Sequence, residues 1–205
     1  MTQSKRELFC PNVQAEFTTA ATKPSQLPSD GLPQVAFLGR SNAGKSSLLN
    51  ALSGKKNLVR ISSKPGKTKE INFFKINGAF YLVDLPGVGF AGVNFAKVGE
   101  MESGIRAYVE NAKTLRGIIY LIDTKLGPQP IDIETIEGVR ALGCPVLPVM
   151  SKCDKANQSE TAKTRNVLSN ILGKETHVLR LSTLRKIGLT ELWREILAAV
   201  ATGEP

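Results

Sequence analysis

The chain has few of the residues that build disulfide-linked or metal-clustered proteins. Its 205 residues include three cysteines and one histidine. Cys10, Cys144 and Cys153 are odd in number and widely spaced, so neither a disulfide framework nor a zinc site is indicated. His177 lies near the start of a predicted strand and outside the motifs described below. We expect a surface or structural role for it rather than catalysis.

Long apolar runs are missing as well. No stretch approaches the length that spans a bilayer. Residues 1–10 lack the apolar core of a signal peptide and include an acid, Glu7. A cytoplasmic protein is therefore expected. With 41% hydrophobic and 22% charged residues, the chain can bury a full core, and its length suits one domain with a short appendage.

Acidic residues are fewer than basic ones. Asp and Glu number 18 against 27 Lys and Arg, and the net charge is +9. This excess predicts an acidic partner such as nucleic acid, and less strongly a membrane surface. The charges of residues 1–33 balance, but residues 55–69 carry no acid, so either a solvated loop or a phosphate-facing surface fits this segment. Its cations are Lys55, Lys56, Arg60, Lys64, Lys67 and Lys69.

The chain does contain a phosphate-binding motif. Residues 39–46 read GRSNAGKS, after an apolar run at 35–38 and before a helical pattern from residue 48. Strand, glycine-rich turn and helix form the context in which a P-loop binds phosphates through backbone N–H groups and a helix N-terminus. Lys45 would reach the β- and γ-phosphates, and Ser46 would ligate Mg²⁺. The expected nucleotide contacts here are Gly39, Arg40, Ser41, Asn42, Ala43, Gly44, Lys45, Ser46 and Ser47.

Periodicity and turn signals predict an α/β domain. The Asn77-Gly78 pair predicts a hairpin, which makes the second and third strands antiparallel. The predicted fold is a three-layer P-loop NTPase domain with a mostly parallel six-stranded sheet and one antiparallel edge strand. Residues 1–30 are predicted to be an arm that packs on, or extends from, a domain of residues 31–205. Strands are predicted at 34–39, 71–76, 79–83, 117–122, 145–150 and 176–182, and helices at 45–54, 97–112, 131–142, 158–172 and 188–201.

A second motif follows the third strand. In such sheets ligands bind at the carboxyl ends of the strands, so residues placed there are expected to converge. Asp84 ends the third strand and begins the sequence DLPG. Its carboxylate would hold Mg²⁺ through water, and the Gly87 N–H would meet a γ-phosphate.

Two further motifs indicate guanine. The sequence SKCD at 151–154 follows the strand at 145–150, and STLRK at 182–186 follows the last strand. The Asp154 carboxylate can accept two hydrogen bonds from N1–H and the exocyclic amine of guanine, a pair that adenine does not offer. The Lys152 stem would cover the ring face, and the loop at 182–186 would offer a backbone N–H to guanine O6.

Together with PGKT at 65–68, these motifs resemble those of translation-factor-class small GTPases of the Era and TrmE kind. SSKPGKTKEINFFKI at 62–76 and DLPGVGFA at 84–91 resemble more narrowly the bacterial EngB/YihA/YsxC family, over nearly the whole chain. That resemblance implies a Mg²⁺-dependent GTP switch for assembly of the large ribosomal subunit, with rRNA and ribosomal proteins as partners and a link to cell division and septation. A monomer is the default expectation, since the sequence does not decide the oligomeric state. It also implies that Thr68 closes on Mg²⁺ and the γ-phosphate. Further nucleotide contacts implied by it are Pro65, Gly66, Lys67, Asp84, Leu85, Pro86, Ser151, Ser182, Thr183 and Leu184.

The chain departs from this family's pattern at two places. Ser151 stands where the family usually has Thr and where the general guanine motif, Asn-Lys-x-Asp, has Asn. A hydroxyl can still tether the neighbouring loops, but one amide contact is lost, so we expect modest nucleotide affinity. Val88 and Phe90 stand where we expect Tyr in close relatives, which removes a stacking or hydroxyl contact to a partner.

Hydrolysis is expected to be slow. Val88 occupies the position after Gly87, where Ras-like GTPases place a water-orienting Gln, and a valine side chain cannot hydrogen-bond to water. The resemblance implies that Asn42 binds potassium, which would neutralise charge as an arginine finger does. A simple capping role for Asn42 fits as well. The candidate catalytic residues are Lys45, Asn42, Thr68 and Gly87.

Two other functions fit a P-loop. A nucleotide or small-molecule kinase would need an acceptor pocket and a lid, and the sequence has no obvious inserted lid. A module that holds GTP but hardly hydrolyses it is favoured by Val88. Phosphoryl transfer to an acceptor would identify the first, and single-turnover hydrolysis with and without large ribosomal subunits would identify the second.

Overall fold

The computed structural model describes residues 13–55, 57–59, 70–89 and 95–202, and of residues 95–102 only the backbone. These residues form a seven-stranded sheet covered by helices on both faces. The strands are β1 (Ala15–Ala21), β2 (Gln34–Gly39), β3 (Ile71–Ile76), β4 (Phe80–Asp84), β5 (Leu115–Asp123), β6 (Val146–Ser151) and β7 (Leu179–Arg180). The helices are α1 (Lys45–Ser53), α2 (Phe95–Asn111), α3 (Pro130–Ala141), α4 (Gln158–Leu172) and α5 (Leu189–Ala201), with short 3₁₀ turns at Pro24–Gln26 and Cys153–Lys155.

The sheet is mostly parallel, as predicted. Its order is β1-β3-β4-β2-β5-β6-β7. Strand β2 lies at the centre and pairs in parallel with β4 and β5, and β5–β6 and β6–β7 are parallel as well. The Asn77-Gly78 turn joins β3 and β4 into the predicted antiparallel hairpin, and both residues have positive φ, as a two-residue hairpin turn requires. Strand β7 is shorter than the predicted 176–182.

The predicted count of six strands is wrong by one. Residues 15–21, within the predicted arm, form β1, which pairs antiparallel with β3 from Ala15↔Ile76 to Ala21↔Ile71. The antiparallel strand β3 is therefore not the edge of the sheet. Prolines at 11, 24, 28 and 33 hid this strand, but they flank β1 and none interrupts it. An unpaired β3 would leave a row of backbone N–H and C=O groups open, and β1 satisfies them.

Alternate residues of the central strands build two apolar cores. Val35 and Phe37 of β2 belong to the core beneath α1 and α5, which includes Trp193. Ala36 and Leu38 belong to the core on the other face, beneath α2, α3 and α4. This alternation follows from the two-residue period of a strand. No helix among the described residues is long and apolar enough to cross a membrane.

Candidate functional site

The GRSNAGKS segment connects β2 to α1 at the carboxyl edge of the sheet. A Cβ atom at Gly39 would lie 2.5 Å from the carbonyl oxygen of Leu121, so only glycine fits there. Asn42 and Gly44 have φ of 67° and 99°, which turns the chain sharply before Lys45 begins α1. The N-terminus of α1 has no side-chain cap. Its first N–H groups are therefore available to an anion such as phosphate.

Lys45 and Asp84 form an ion pair in the centre of the site. The Lys45 Nζ contacts Asp84 Oδ1, and only 13% and 7% of the two side chains are exposed. Asp84 is held in place because β4 pairs with β2 up to Phe37↔Asp84. A carboxylate and the hydroxyl of Ser46, next to Lys45, are hard oxygen donors of the kind that Mg²⁺ prefers. The chemistry of these donors fits a magnesium ion, and a phosphate group could replace Asp84 as the partner of Lys45.

The DLPG segment extends β4 along the P-loop. The Val88 N–H donates to the Gly39 carbonyl at 3.1 Å, and the Ser41 N–H donates to the Val88 carbonyl at 3.4 Å. A Cβ at Gly87 would lie 3.3 Å from both Gly39 O and Ser41 N, so glycine allows this close approach. The Val88 side chain is buried in the apolar core. This apolar side chain offers no group that could orient a water molecule.

Several predicted site residues lie outside the described part of the chain. Among the predicted nucleotide contacts these are Pro65, Gly66, Lys67 and Thr68, and Phe90 of the DLPG segment is another. The basic segment is described only at Lys55, whose Nζ donates to the Ala15 carbonyl, and at 57–59. Its other cations, Lys56, Arg60, Lys64, Lys67 and Lys69, fall outside as well.

Ser151 and Lys152 connect the end of β6 to the P-loop. The buried Ser151 hydroxyl donates to the Ala43 carbonyl at 2.6 Å and lies 3.1 Å from the Ile122 carbonyl. This is the loop tether that the sequence predicted for a hydroxyl at this position. Lys152 has a left-handed backbone with φ of 52°, and its Nζ donates to the Asn42 carbonyl. Its stem lies 3.8 Å from where a Gly44 Cβ would be.

Asp154 lies beside the loop at 182–186. The Cys153 N–H donates to the Leu181 carbonyl at 3.0 Å, which holds the two loops together. A hydrogen bond from the Ser182 hydroxyl lowers the pKa of Asp154, so the carboxylate is ionised and acts as an acceptor at neutral pH. The Ser182 Oγ accepts in turn from the Arg185 N–H at 3.0 Å, whereas Leu184 extends into solvent.

Comparison with known proteins agrees with this geometry. A family model described as 50S ribosome-binding GTPase matches residues 34–152. The probable GTP-binding protein EngB of Geobacter metallireducens is 41% identical over 191 residues, which are 93% of this chain and 94% of the relative. That of Lactobacillus acidophilus is 41% identical over 87% of this chain and 92% of its own. The chain belongs to the EngB family of GTP-binding proteins.

Solved structures also support membership of the EngB family, and they confirm the predicted P-loop GTPase fold. A crystal structure of a probable GTP-binding protein EngB has a TM-score of 0.70 and 26% identity, covering 82% of this chain and 99% of its own. A structure of Era with MgGDPNP and nucleotides 1506–1542 of 16S ribosomal RNA has a TM-score of 0.65 and 27% identity. It covers 85% of this chain and 58% of Era.

Sequence reasoning missed two acids in this EngB-family chain. Asp123 ends β5, and its Oδ2 lies 2.9 Å from Lys152 Nζ. Asp132 in the first turn of α3 is buried and accepts from the Tyr120 hydroxyl at 2.9 Å. Asp123 could have been found, because it ends a central strand as Asp84 does. Asp132 gave no such signal.

His177 is half exposed beside Glu191 and Glu195 of α5, at 3.5 and 3.4 Å.

Proposed function

We propose that this chain is a GTP-dependent switch with slow GTPase activity that acts in assembly of the large ribosomal subunit. One observation carries the guanine part of the proposal. Ser151 and Lys152 of the SKCD motif both donate to carbonyls of the P-loop, while Asp154 of the same motif lies beside Ser182. The proposed phosphate cradle therefore contacts the same motif that carries the proposed guanine-binding carboxylate.

In the proposed complex the phosphates lie on the N–H groups of the P-loop and the first turn of α1. Lys45 leaves Asp84 for the β- and γ-phosphates, and Asp154 accepts from the guanine edge. The loop residues Ser182, Thr183 and Leu184 contact the base, and residues 85–87 face the γ-phosphate. From the segment outside the described residues, Pro65, Gly66, Lys67 and Thr68 are assigned to the same nucleotide.

Magnesium is the proposed cofactor. Ser46, Asp84 and Thr68 would hold it, and the ion would neutralise charge on the phosphates. The Era relative was solved with MgGDPNP, which supports this assignment. Because Val88 is buried and offers no group to water, intrinsic hydrolysis is expected to be slow. Asn42 is the proposed site of potassium stimulation, and Lys45, Thr68 and Gly87 are the other proposed catalytic residues.

The ribosomal role is supported by the description of the matching family model and by charge. The segment 55–69 carries six cations, and polyanions such as rRNA bind clustered cations by releasing counterions. Thr68 belongs to the same segment, so we propose that nucleotide state and rRNA contact are coupled. We also propose that the protein is a cytoplasmic monomer. Its link to cell division and septation stays a prediction.

The test is co-sedimentation with large ribosomal subunits under GTP, GDP and no nucleotide. Replacing Lys56, Lys64 and Lys69 with Glu, which keeps the proposed nucleotide contact Lys67, should weaken co-sedimentation and leave GTP affinity nearly unchanged. The matched control replaces three exposed lysines elsewhere with Glu, so the net charge changes by the same amount. These lysines are Lys113, Lys163 and Lys174. Equal loss in both triple variants, or no loss in the first, would refute the basic segment as the rRNA contact.

A second candidate is a module that binds GTP and hardly hydrolyses it. The burial of Val88 favours it, since a buried valine side chain offers no hydrogen-bonding group in the place of Gln. Single-turnover hydrolysis with and without large subunits separates the two functions. Acceleration by the subunit supports the switch, and the absence of product with or without the subunit supports the binding module.

A further inference from the structure

Lys152 lies across the P-loop and is held at its far end by an acid. Its stem passes over Gly44, and its Nζ donates to the Asn42 carbonyl and to Asp123 Oδ2, the latter at 2.9 Å. The two charged side chains are largely shielded from water, with 30% and 16% exposed. Asn42 and Lys152 both have left-handed backbones. The lysine therefore has one defined path across the loop, and Asp123 sets where that path ends.

Asp123 uses its two carboxylate oxygens for different purposes. Oδ1 accepts from the backbone N–H groups of Lys125 and Leu126 at 3.1 and 3.4 Å, which shapes the turn between β5 and α3. Oδ2 accepts a hydrogen bond from Lys152 Nζ at 2.9 Å. An Asn side chain has only one accepting oxygen. It could serve the turn or the lysine but not both.

We propose that Asp123 is a positioning residue for nucleotide binding, which holds Lys152 across the P-loop in the pose that covers the guanine base. This inference rests on the proposed function and extends it to a residue outside the recognised motifs. A lysine released from Asp123 recovers rotamer freedom, and the base loses its cover. Because GTP and GDP share the base and ribose, release of both nucleotides is accelerated by the same factor.

The experiment measures dissociation of fluorescent GTP and GDP analogues from wild-type protein and the Asp123→Asn variant. We expect release of both nucleotides to be roughly tenfold faster, the size expected for loss of a hydrogen bond between charged groups. The matched control is Asp30→Asn. This substitution breaks the Lys75–Asp30 ion pair, which has the same 2.9 Å length and lies near the Asn77-Gly78 turn, at the end of the β3–β4 hairpin away from Asp84. The Asp30→Asn variant should release both nucleotides at the wild-type rate.

A second variant separates the lysine from the turn. Asp123→Ser keeps an oxygen that can accept from the turn N–H groups but is too short to reach Lys152. It should release nucleotide as fast as the Asn variant, and it keeps the test valid if Asp123→Asn unfolds the turn. Both substitutions are repeated in a Lys152→Ala background, where they should have no further effect.

Wild-type release rates in both Asp123 variants would overturn the inference. So would faster release that persists in the Lys152→Ala background, since Asp123 would then act through the turn. An effect on GTP alone would assign Asp123 to the γ-phosphate and overturn it as well. If wild-type protein binds neither guanine nucleotide, the proposed function itself fails, and this result is distinct from all the others.

Discussion

The Ser151 hydroxyl donates a 2.6 Å hydrogen bond to the carbonyl oxygen of Ala43, 108 residues earlier in the chain. Both residues are buried, and the bond ties the end of β6 to the P-loop. The Ser151→Ala variant leaves the buried carbonyl without its donor. We expect it to lose about 1–3 kcal/mol of unfolding free energy and to bind GTP more weakly. Urea unfolding and nucleotide titration would show this.

The control for that change is Ser151→Thr, which keeps the hydroxyl. It should retain most of the wild-type stability and GTP affinity. Equal behaviour of the Ala and Thr variants would mean that the hydroxyl does not tether the loop.

Asp154 should decide which purine is bound. Its lowered pKa keeps the carboxylate ionised, so it can accept the two hydrogen bonds that guanine offers in the proposed complex. Xanthine has a carbonyl where guanine has its amine, so an amide side chain suits xanthine better. Asp154→Asn should lose GTP affinity by about tenfold or more and gain affinity for XTP. Competition between the two nucleotides measures the exchange, and an unchanged preference for GTP would place the guanine contact elsewhere.

Asp84 should link nucleotide affinity to magnesium. The carboxylate that pairs with Lys45 is the proposed Mg²⁺ anchor. In Asp84→Asn we expect GTP binding with excess EDTA to persist while the gain in affinity on adding Mg²⁺ is lost. The Asp30→Asn variant undergoes the same chemical change far from the site and should keep that gain. A full magnesium effect in Asp84→Asn would exclude this anchor.

Asn42 should determine any preference between monovalent cations. Its φ of 67° is reached by glycine without strain, so Asn42→Gly removes the side chain and keeps the backbone of the loop. Wild-type GTP turnover is expected to be faster in potassium than in sodium buffer. The variant should turn over GTP equally in both. Equal wild-type rates in the two buffers would end the potassium proposal.

The Tyr120–Asp132 contact should make stability depend on pH. Burial raises the pKa of Asp132, and the Tyr120 hydrogen bond opposes this by favouring the ionised form. An acid with a raised folded-state pKa favours folding most below its ordinary pKa, and this contribution falls as the pH rises through the raised value. Tyr120→Phe raises that pKa further. The variant should lose about 1–3 kcal/mol at about pH 7 and less in acid.

Tyr108→Phe provides the matched control for this series. The Tyr108 hydroxyl donates at 2.8 Å to Gln34 Oε1, a neutral acceptor, and burial raises the pKa of Tyr108 so that it stays neutral. Its loss of stability should be the same at both pH values. Urea denaturation of the two variants at neutral and acidic pH gives the comparison. Parallel losses would show that Asp132 is not the titrating group.

Local patterns predicted most of the fold. The hairpin at Asn77-Gly78 and the helix beginning at Lys45 were predicted because backbone conformation there depends on a few adjacent residues. Strand β1 was missed, since its seven residues carry little periodicity of their own and are ordered by pairing with β3. Because residues at the carboxyl ends of parallel strands meet at one edge of the sheet, we predicted that Asp84 and the 151–154 motif lie near the P-loop, and the structure shows them there. Their binding roles stay predictions.

By itself, the sequence determined the family, the parallel α/β layout and the motifs, because these depend on residue type and spacing along the chain. Only the tertiary structure decided how the motifs touch. The Ser151–Ala43 bond and the Lys152–Asp123 pair join residues 108 and 29 positions apart. No local pattern encodes such contacts, since they arise from the register of neighbouring strands and from the direction in which each side chain leaves the backbone.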